Sequence, residues 1–374
     1  MTRPVYLAGT GHYLPGRPIP FDEIDDVLGR LTDAPPKIQR WIDSTRGVMR
    51  EILAVRFVHY AFDPATREYT DDNVTMAVKA SRAALAAAGL APGEIDLICY
   101  GSPHQDQMPT ASVRIQEALG IESCAELSIH ANCTSAYKAL YLAHELVAAG
   151  RFRNALVVSA NVASSELRRE YYNPEKVDRE SLFLRWFLCD GAGAAVLSAD
   201  PARSCGYEVE QTYIESVGGK RPSHMFNGRP AYWMNPREEF DLGLHHLRQT
   251  FRDALASDFF REGEGSVFAA GLRRMLAQGN APVETIRLFH LNLPARHIAE
   301  MVMDDVAALG IPRSALYTKL DELGYSGPPM ALICLDAMVR EESLGEGDRV
   351  AGFVTEVSKF MQAGYVLRRH GTLG

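Results

Sequence analysis

The chain repeats part of itself once, and this internal repeat limits the folds open to it more than any other feature. The segment Ala-Leu-Gly-Ile stands at residues 118–121 and again at 308–311, which is 190 positions later. An Ala-Pro-x-Glu segment that precedes an apolar run begins at residue 91 and again at residue 281, at the same offset of 190. Solenoid repeats span only about 20–50 residues, so an offset this long indicates a duplicated domain. We therefore predict two similar halves, residues 1–200 and 201–374.

Within each half, amphipathic segments alternate with short apolar runs such as residues 95–100 and 286–290. Runs of this kind are typical of strands that are buried on both faces. The alternation predicts a layered α/β fold with largely buried sheets. A hydrophilic stretch near residues 166–185 interrupts the first half and carries many charges of both signs. We predict that it is an exposed surface excursion, with a lid or a dimer element as the alternative.

The charge and the cysteines narrow the classes of function. A net charge of −8, without any run of Lys or Arg, argues against a nucleic-acid partner. The six cysteines are scattered and show no C-x-x-C spacing, so we expect neither a metal site nor a disulfide framework. No apolar stretch reaches the roughly 20 residues that a membrane span needs, and the amino terminus lacks a signal-peptide pattern. These features predict a cytoplasmic protein that keeps its thiols reduced.

Cys133 is the strongest candidate for chemistry, because it stands between a predicted strand at residues 125–131 and a predicted helix at 134–149. At such a turn the sulfur lies near the free N–H groups of the helix, whose dipole favours the thiolate. A cysteine activated in this way is a covalent nucleophile. The alternative is a small buried apolar residue, as free cysteines often are. The polar residues on both sides of Cys133 favour the nucleophile.

The repeat also predicts what faces Cys133. At the offset of 190 the equivalent turn lies at Leu323, beside Gly-Tyr-Ser-Gly at residues 324–327. Equivalent turns of a duplicated fold are expected to face each other across a pseudo-twofold axis. His290 ends the second-half strand that corresponds to residues 95–100. We therefore predict that His290 lies at the same end of the sheet as Cys133.

Five segments follow one another in the order and spacing of a known family. They are VYLAGTGHYLPG from residue 5, MPTASVRIQEALGI from 108, ANCTSAYKAL from 131, CDGAGAAVL from 189 and HLNLPARHI from 290. Over nearly its whole length the chain resembles the β-ketoacyl-acyl-carrier-protein synthase III enzymes of the thiolase superfamily. The resemblance implies a thiolase fold, with two duplicated α/β halves in a layered α-β-α-β-α arrangement. It also implies a homodimer in which Cys133 carries an acyl group and His290 is the catalytic histidine.

The resemblance further implies that no cofactor is bound, since the acyl thioester of CoA or of an acyl-carrier protein is itself the substrate. Met108 resembles the position that caps the acyl pocket, often across the dimer interface, with core packing as the alternative. Two departures from the family affect the site. Tyr325 stands where the family has an asparagine, and the loop at residues 356–364 has lost most of the family's glycines and gained Lys359. We assign Ser326 and Lys359, with Met108, to the substrate pocket.

These departures leave two reactions open for the second step. A condensing enzyme decarboxylates a malonyl thioester and stabilises the enolate with two donors, so it needs Asn292 or the Tyr325 hydroxyl to replace the missing asparagine. An acyltransferase needs only His290 as a general base on an oxygen or nitrogen nucleophile of a natural-product acceptor. We favour the acyltransferase, with the decarboxylative 3-oxoacyl synthase of fatty acid or polyketide biosynthesis as the alternative. A Tyr325 hydroxyl that points at the Cys133 sulfur would favour condensation. A non-catalytic partner subunit is the third interpretation, against which Cys133 and His290 argue.

Overall fold

Ten strands pair in one continuous sheet in the computed structural model, which describes residues 3–104, 108–228, 235–250, 260–263 and 265–371. The strands of the first half are β1 (Tyr6–Tyr13), β2 (Leu97–Ser102), β3 (Ala125–His130), β4 (Asn154–Asn161) and β5 (Gly191–Ser198). Those of the second half are β6 (Tyr207–Ser216), β7 (Ile286–Leu291), β8 (Leu316–Tyr317), β9 (Arg349–Glu356) and β10 (Met361–Arg369). Two-residue strands also pair outside this sheet: Ile19–Pro20 with Phe57–Val58, Met225–Phe226 with Arg248–Gln249, and Arg261–Glu262 with Gly265–Ser266.

The strand order shows the duplication directly. Across the sheet the order is β8-β7-β9-β10-β6-β1-β5-β4-β2-β3. Each strand of the first half therefore has its counterpart five strands later, at the mirrored position. The two halves join where the ends of β1 and β6 pair antiparallel, through Tyr6 with Glu208 and Leu7 with Tyr207. The predicted division at residue 200 falls in the connection between β5 and β6.

The helices form three layers around the two halves of the sheet. In the first half they are α1 (Ile24–Leu28), α2 (Pro36–Leu53), α3 (Asn73–Ala88), α4 (Ala111–Leu119), α5 (Ser135–Ala148) and α6 (Arg179–Leu182). In the second half they are α7 (Pro236–Leu242), α8 (Val267–Gln278), α9 (Arg296–Ala307), α10 (Leu320–Leu323) and α11 (Met330–Glu341). Helices α5 and α11 pack between the two halves, whereas α3 with α4 and α8 with α9 cover the outer faces. The predicted α-β-α-β-α layering is confirmed.

The repeated sequence segments form the same local structures in both halves. Gly120 follows α4 and Gly310 follows α9, and both have positive φ, at 75° and 99°. Glycine adopts this left-handed conformation without a Cβ clash, which explains why the Ala-Leu-Gly-Ile segments resemble each other. The two Ala-Pro-x-Glu segments form single 3-10 turns, Pro92–Glu94 and Val283–Thr285, just before β2 and β7. The repeated segments therefore form the same connections before corresponding strands of the two halves.

Two expectations about the first half need correction. The sheets were predicted to be largely buried, but β3, which precedes Cys133, is an edge strand of the sheet and its residues are partly exposed. The stretch at residues 166–185 is not an exposed excursion, because Leu167, Leu182 and Leu184 are buried. The Arg185 side chain is buried as well, and it donates hydrogen bonds to the carbonyls of Leu167 and Gly29. The stretch is rich in charged residues, but its apolar side chains pack inside the protein.

The sequence predicts no membrane-spanning segment. Among the described residues, no helix is both long enough and apolar enough to span a bilayer.

Candidate active site

Cys133 lies at the wall of a cavity of about 660 Å³. It follows β3 by three residues and precedes α5 by two, as the sequence predicted. The turn is held by its own backbone, since the Ser135 N–H donates to the Asn132 carbonyl at 3.0 Å. The Asn132 side chain also lines the cavity. The local sequence therefore presents a sulfur at the start of a helix and at a space large enough for a substrate.

The turn of the second half meets Cys133, as the repeat predicted. The Tyr325 hydroxyl donates a hydrogen bond to the Cys133 Sγ at 3.4 Å. Tyr325 is buried, and its carbonyl accepts from the Cys189 N–H at 3.0 Å, so its backbone is anchored to the segment that precedes β5. This is the hydroxyl orientation that the sequence analysis associates with condensation.

The protonation state of Cys133 differs from the expected one. Burial, reinforced by the carboxylate of Glu356, raises the pKa of the Cys133 thiol to about 12, although the hydrogen bond from Tyr325 acts in the opposite direction. This raised pKa favours the thiol at neutral pH, in opposition to the helix dipole, which favours the thiolate. The nucleophile must lose its proton as it attacks.

Glu356 was missed by the sequence analysis. Its Oε2 accepts from the Thr134 N–H at 2.9 Å and from the Thr134 hydroxyl at 2.6 Å, and its Oε1 accepts from the Ser358 hydroxyl. The side chain is buried. A carboxylate at this place satisfies an N–H that the start of α5 leaves free, and it ties the loop after β9 to the nucleophile turn. The loss of glycines from residues 356–364 was the sequence signal that this loop differs from the family. The charged residue of the loop that contacts the nucleophile turn is Glu356.

His290 is buried at the end of β7, beside Tyr317 on β8 and Gly352 on β9. Its Nδ1 lies 3.4 Å from the Tyr317 carbonyl, which can only accept, so Nδ1 carries the proton. Nε2 has no hydrogen-bond partner among the described residues. Burial lowers the pKa of His290 to about 4, and the ring is therefore neutral, with the Nε2 lone pair free to accept a proton.

Asn292 lies two residues beyond His290, and its N–H donates to the Phe353 carbonyl at 3.0 Å. The Asn292 side chain lines the cavity, whereas His290 is enclosed and does not appear in the described part of the cavity wall. Both polar atoms of the buried Asn292 amide lack a partner among the described residues. Buried amides are normally hydrogen-bonded, so this one is available to a ligand.

The chain is similar to known proteins of one enzyme family. A family model described as 3-oxoacyl-[acyl-carrier-protein (ACP)] synthase III matches residues 127–218, which include Cys133. The β-ketoacyl-[acyl-carrier-protein] synthase III of Rhodospirillum rubrum is 30% identical over 263 residues, which cover 67% of this chain and 72% of that protein. The chain belongs to the β-ketoacyl-acyl-carrier-protein synthase III family.

The similarity to relatives of this synthase III family extends over nearly the whole chain. The enzyme of the same name from Clostridium perfringens is 26% identical over 346 residues, which cover 92% of this chain and 93% of the relative. The solved structure of AbyA1, a tetronic acid condensing enzyme, superposes with a TM-score of 0.75 at 20% identity and covers 97% of this chain and 99% of its own. The thiolase fold implied by the resemblance is thereby confirmed.

Three residues assigned to the substrate pocket are not in the described cavity wall of this synthase III protein. Met108 is 98% exposed on the single chain, so it does not pack in the core, and a cap across the dimer interface stays a prediction. Lys359 was expected to bring its charge to the site, but its Nζ points outwards and donates to the Arg221 carbonyl. Ser326 is buried beside Gly191, and its carbonyl accepts from Asn161 Nδ2 at 2.9 Å. Chain direction after each turn, which the sequence does not encode locally, explains these differences.

Several polar residues that line the cavity were also missed. They include Glu166, His104, His130 and Asn227. Glu166 comes from the stretch that was assigned to the surface. The synthase III cavity thus combines a nucleophile with polar groups from segments far apart in the chain.

The raised pKa of Cys133 predicts a specific alkylation profile. Because the thiolate is the reactive form, the rate of Cys133 alkylation by iodoacetamide is expected to rise about tenfold per pH unit from about pH 6 to 9, without a plateau. Glu356→Gln removes the charge that raises the pKa, so alkylation should be faster than in the wild type at each pH. Peptide mass spectrometry at Cys133 measures both rates.

Glu322→Gln, an exposed substitution, is the matched control and should follow the wild-type profile. A plateau below about pH 8 would show that the thiol ionises near its ordinary range. Equal rates in Glu356→Gln and the wild type would show that the carboxylate does not act on the sulfur.

Proposed function

We propose that this synthase III family member is an acyltransferase that passes an acyl group from a CoA or acyl-carrier-protein thioester, through Cys133, to an oxygen or nitrogen nucleophile of a small-molecule acceptor. In the first step the Cys133 sulfur attacks the thioester carbonyl, the donor thiolate leaves, and the Cys133 proton ends on the departing thiol. In the second step the acceptor attacks the acyl-cysteine, and His290 Nε2 accepts the proton that the acceptor loses.

The charge of the cavity carries this proposal. Among the described residues that line it, Glu166 is the only carboxylate and none is Lys or Arg. Condensation brings a malonyl carboxylate into the cavity, where Glu166 repels it and no Lys or Arg among the described lining residues offsets the repulsion. Decarboxylation also generates its own carbanion, so a condensing enzyme has no use for a second base. A heteroatom acceptor must lose a proton, and the neutral His290 and Glu166 are suited to take it.

Condensation is the second candidate, because two observations favour it. The Tyr325 hydroxyl lies 3.4 Å from the Cys133 sulfur, and the Asn292 amide lines the cavity without a partner among the described residues. Together they offer the donors that would replace the missing asparagine around an enolate oxygen. The relatives named above are named as synthases or a condensing enzyme, which supports the same alternative.

Acyl-enzyme loaded from acyl-CoA separates the two reactions. The preloaded protein is offered malonyl-CoA and malonyl-carrier protein in one arm, and matched amines and alcohols in the other. We expect discharge of the acyl-enzyme only in the second arm, with an amide or ester as product. Release of carbon dioxide with formation of a 3-oxoacyl thioester would reject the acyltransferase and establish condensation.

Substitution of Tyr325 tests how the reaction type is set. Tyr325→Asn restores the residue of the family and is expected to raise malonyl decarboxylation by about tenfold or more, since one enolate donor is typically worth on the order of 100-fold. Tyr325→Phe keeps the ring but loses the donor to sulfur, so acylation should slow by about tenfold, the value of one hydrogen bond. Stopped-flow release of free CoA and a carbon dioxide assay give the two rates. A selective loss of carbon dioxide release in Tyr325→Phe would instead assign the hydroxyl to condensation.

A further inference from the structure

Glu166 ends the 3-10 turn Ala163–Glu166, which follows β4 and is held firmly in place. The buried carboxylate of Asp190 accepts from the Ser164 N–H at 2.7 Å, from the Ser164 hydroxyl at 2.6 Å and from the Ala61 N–H at 2.7 Å. These bonds tie the segment that carries Glu166 to the residue before β5. The turn therefore presents Glu166 to the cavity from a rigid base.

The Glu166 carboxylate has neutral or weakly basic neighbours. Asn227 Nδ2 donates to its Oε1 at 3.1 Å, and His104 is close enough to stabilise the carboxylate, while burial raises the pKa of Glu166. His104 lines the same cavity, and its Nε2 is buried without a partner among the described residues. Tyr171 and Tyr172 are also close enough to interact electrostatically with the Glu166 carboxylate. No Lys or Arg of the described residues forms an ion pair with Glu166, whereas Glu170 pairs with Arg67 and Asp178 pairs with Arg248.

A carboxylate that faces a cavity without a cationic partner is costly, because the enclosed site provides less solvation than water. A ligand of opposite charge recovers that cost, and a perturbed carboxyl group in a cavity is a common property of binding and catalytic sites. Phosphate and carboxylate ligands are excluded at this wall by repulsion. A neutral alcohol gains a hydrogen bond there, but only a cation matches the charge.

We infer that Glu166, with Asn227 and His104, is a binding subsite for a protonated amine, so that the acceptor of the acyl group is an amine and not an alcohol. This inference rests on the proposed acyl transfer. The ammonium group binds at Glu166 and gives it one proton, which leaves a neutral amine. The amine nitrogen attacks the acyl-cysteine carbonyl, the C–S bond breaks, and the second nitrogen proton passes by way of His290 to the Cys133 sulfur. The products are an amide, the free thiol and a protonated Glu166, which returns its proton to water.

Two thiol reagents of opposite charge probe the subsite without knowledge of the natural acceptor. We expect Cys133 to react with aminoethyl methanethiosulfonate at least about tenfold faster than with its sulfonatoethyl analogue, after correction for their rates with a free thiol, because tenfold corresponds to about 1.4 kcal/mol of charge interaction. Glu166→Gln keeps the size and the hydrogen bond from Asn227 but should remove this preference. Glu175→Gln, an exposed change in the same segment, should retain it.

Discharge of the preloaded acyl-enzyme supplies the chemical readout. Cyclohexylamine and glucosamine are compared with cyclohexanol and glucose, which share their skeletons. The amines should discharge the wild type faster, and Glu166→Gln should slow them by about 100-fold or more, the range for loss of a general base. Discharge is measured on protein that is already loaded from acyl-CoA, so a change in the loading rate of Glu166→Gln does not enter the comparison.

Three results would overturn the inference: an unchanged reagent preference in Glu166→Gln, equal discharge by amines in Glu166→Gln and the wild type, or faster discharge by the alcohols. The last result leaves the proposed acyl transfer intact. Carbon dioxide release from malonyl donors, by contrast, defeats the proposed function itself, so the two failures are distinguishable.

Discussion

Cys133→Ala is expected to form no acyl-enzyme with any acyl-CoA or acyl-carrier-protein donor. The sulfur is the atom that carries the acyl group between donor and acceptor, and Ala offers no replacement. Turnover should fall by roughly 10⁴-fold or more, because removal of a covalent nucleophile from an otherwise intact site costs up to about 10⁶-fold in kcat. Intact-protein mass spectrometry detects the acyl mass increment, and release of free CoA gives the rate.

Cys124→Ala is the matched control, since Cys124 is a free, partly exposed thiol that does not line the described cavity wall. It should keep both the mass increment and the rate. An acyl increment of full size on the Cys133→Ala protein would place the acyl group on another residue and remove the basis of both proposed reactions.

His290→Ala should separate loading from transfer. Its Nε2 has no hydrogen-bond partner among the described residues, and loss of a general base costs about 100-fold to 10⁴-fold. Acyl-Cys133 should still form slowly, because the donor thiolate is a good leaving group, but discharge to an acceptor should fall by that factor. Acyl-enzyme therefore accumulates, which mass spectrometry follows over time.

His297→Ala, an exposed change on α9, is the control and should behave as the wild type. His290→Gln retains a donor for the Tyr317 carbonyl and guards against a folding defect. Burial lowers the pKa of His290 to about 4, so wild-type discharge should show no loss of the base between about pH 8 and 5. Unchanged discharge in both variants would remove His290 from the mechanism.

The fold was largely predictable because it is encoded by local and repeated signals. Two short echoes at one offset predicted the duplication, and the strand order of the two halves repeats accordingly. The same offset predicted that the turn at Tyr325 meets the turn at Cys133, and their hydrogen bond confirms it. The stretch at residues 166–185 was misjudged, because its charges are plentiful in sequence while its apolar side chains face inwards.

The sequence by itself determined the duplicated α/β fold and the residue types at the strand-to-helix turn of Cys133. Those features depend on neighbours along the chain and on a repeat that both halves carry. Tertiary structure alone decided the chemistry of the site. Glu356 reaches Thr134 across 222 positions and, with burial, keeps Cys133 a thiol. Glu166 faces the cavity because Asp190 holds its turn. Charge and burial act through distance in space, and that distance is set only when remote segments pack together.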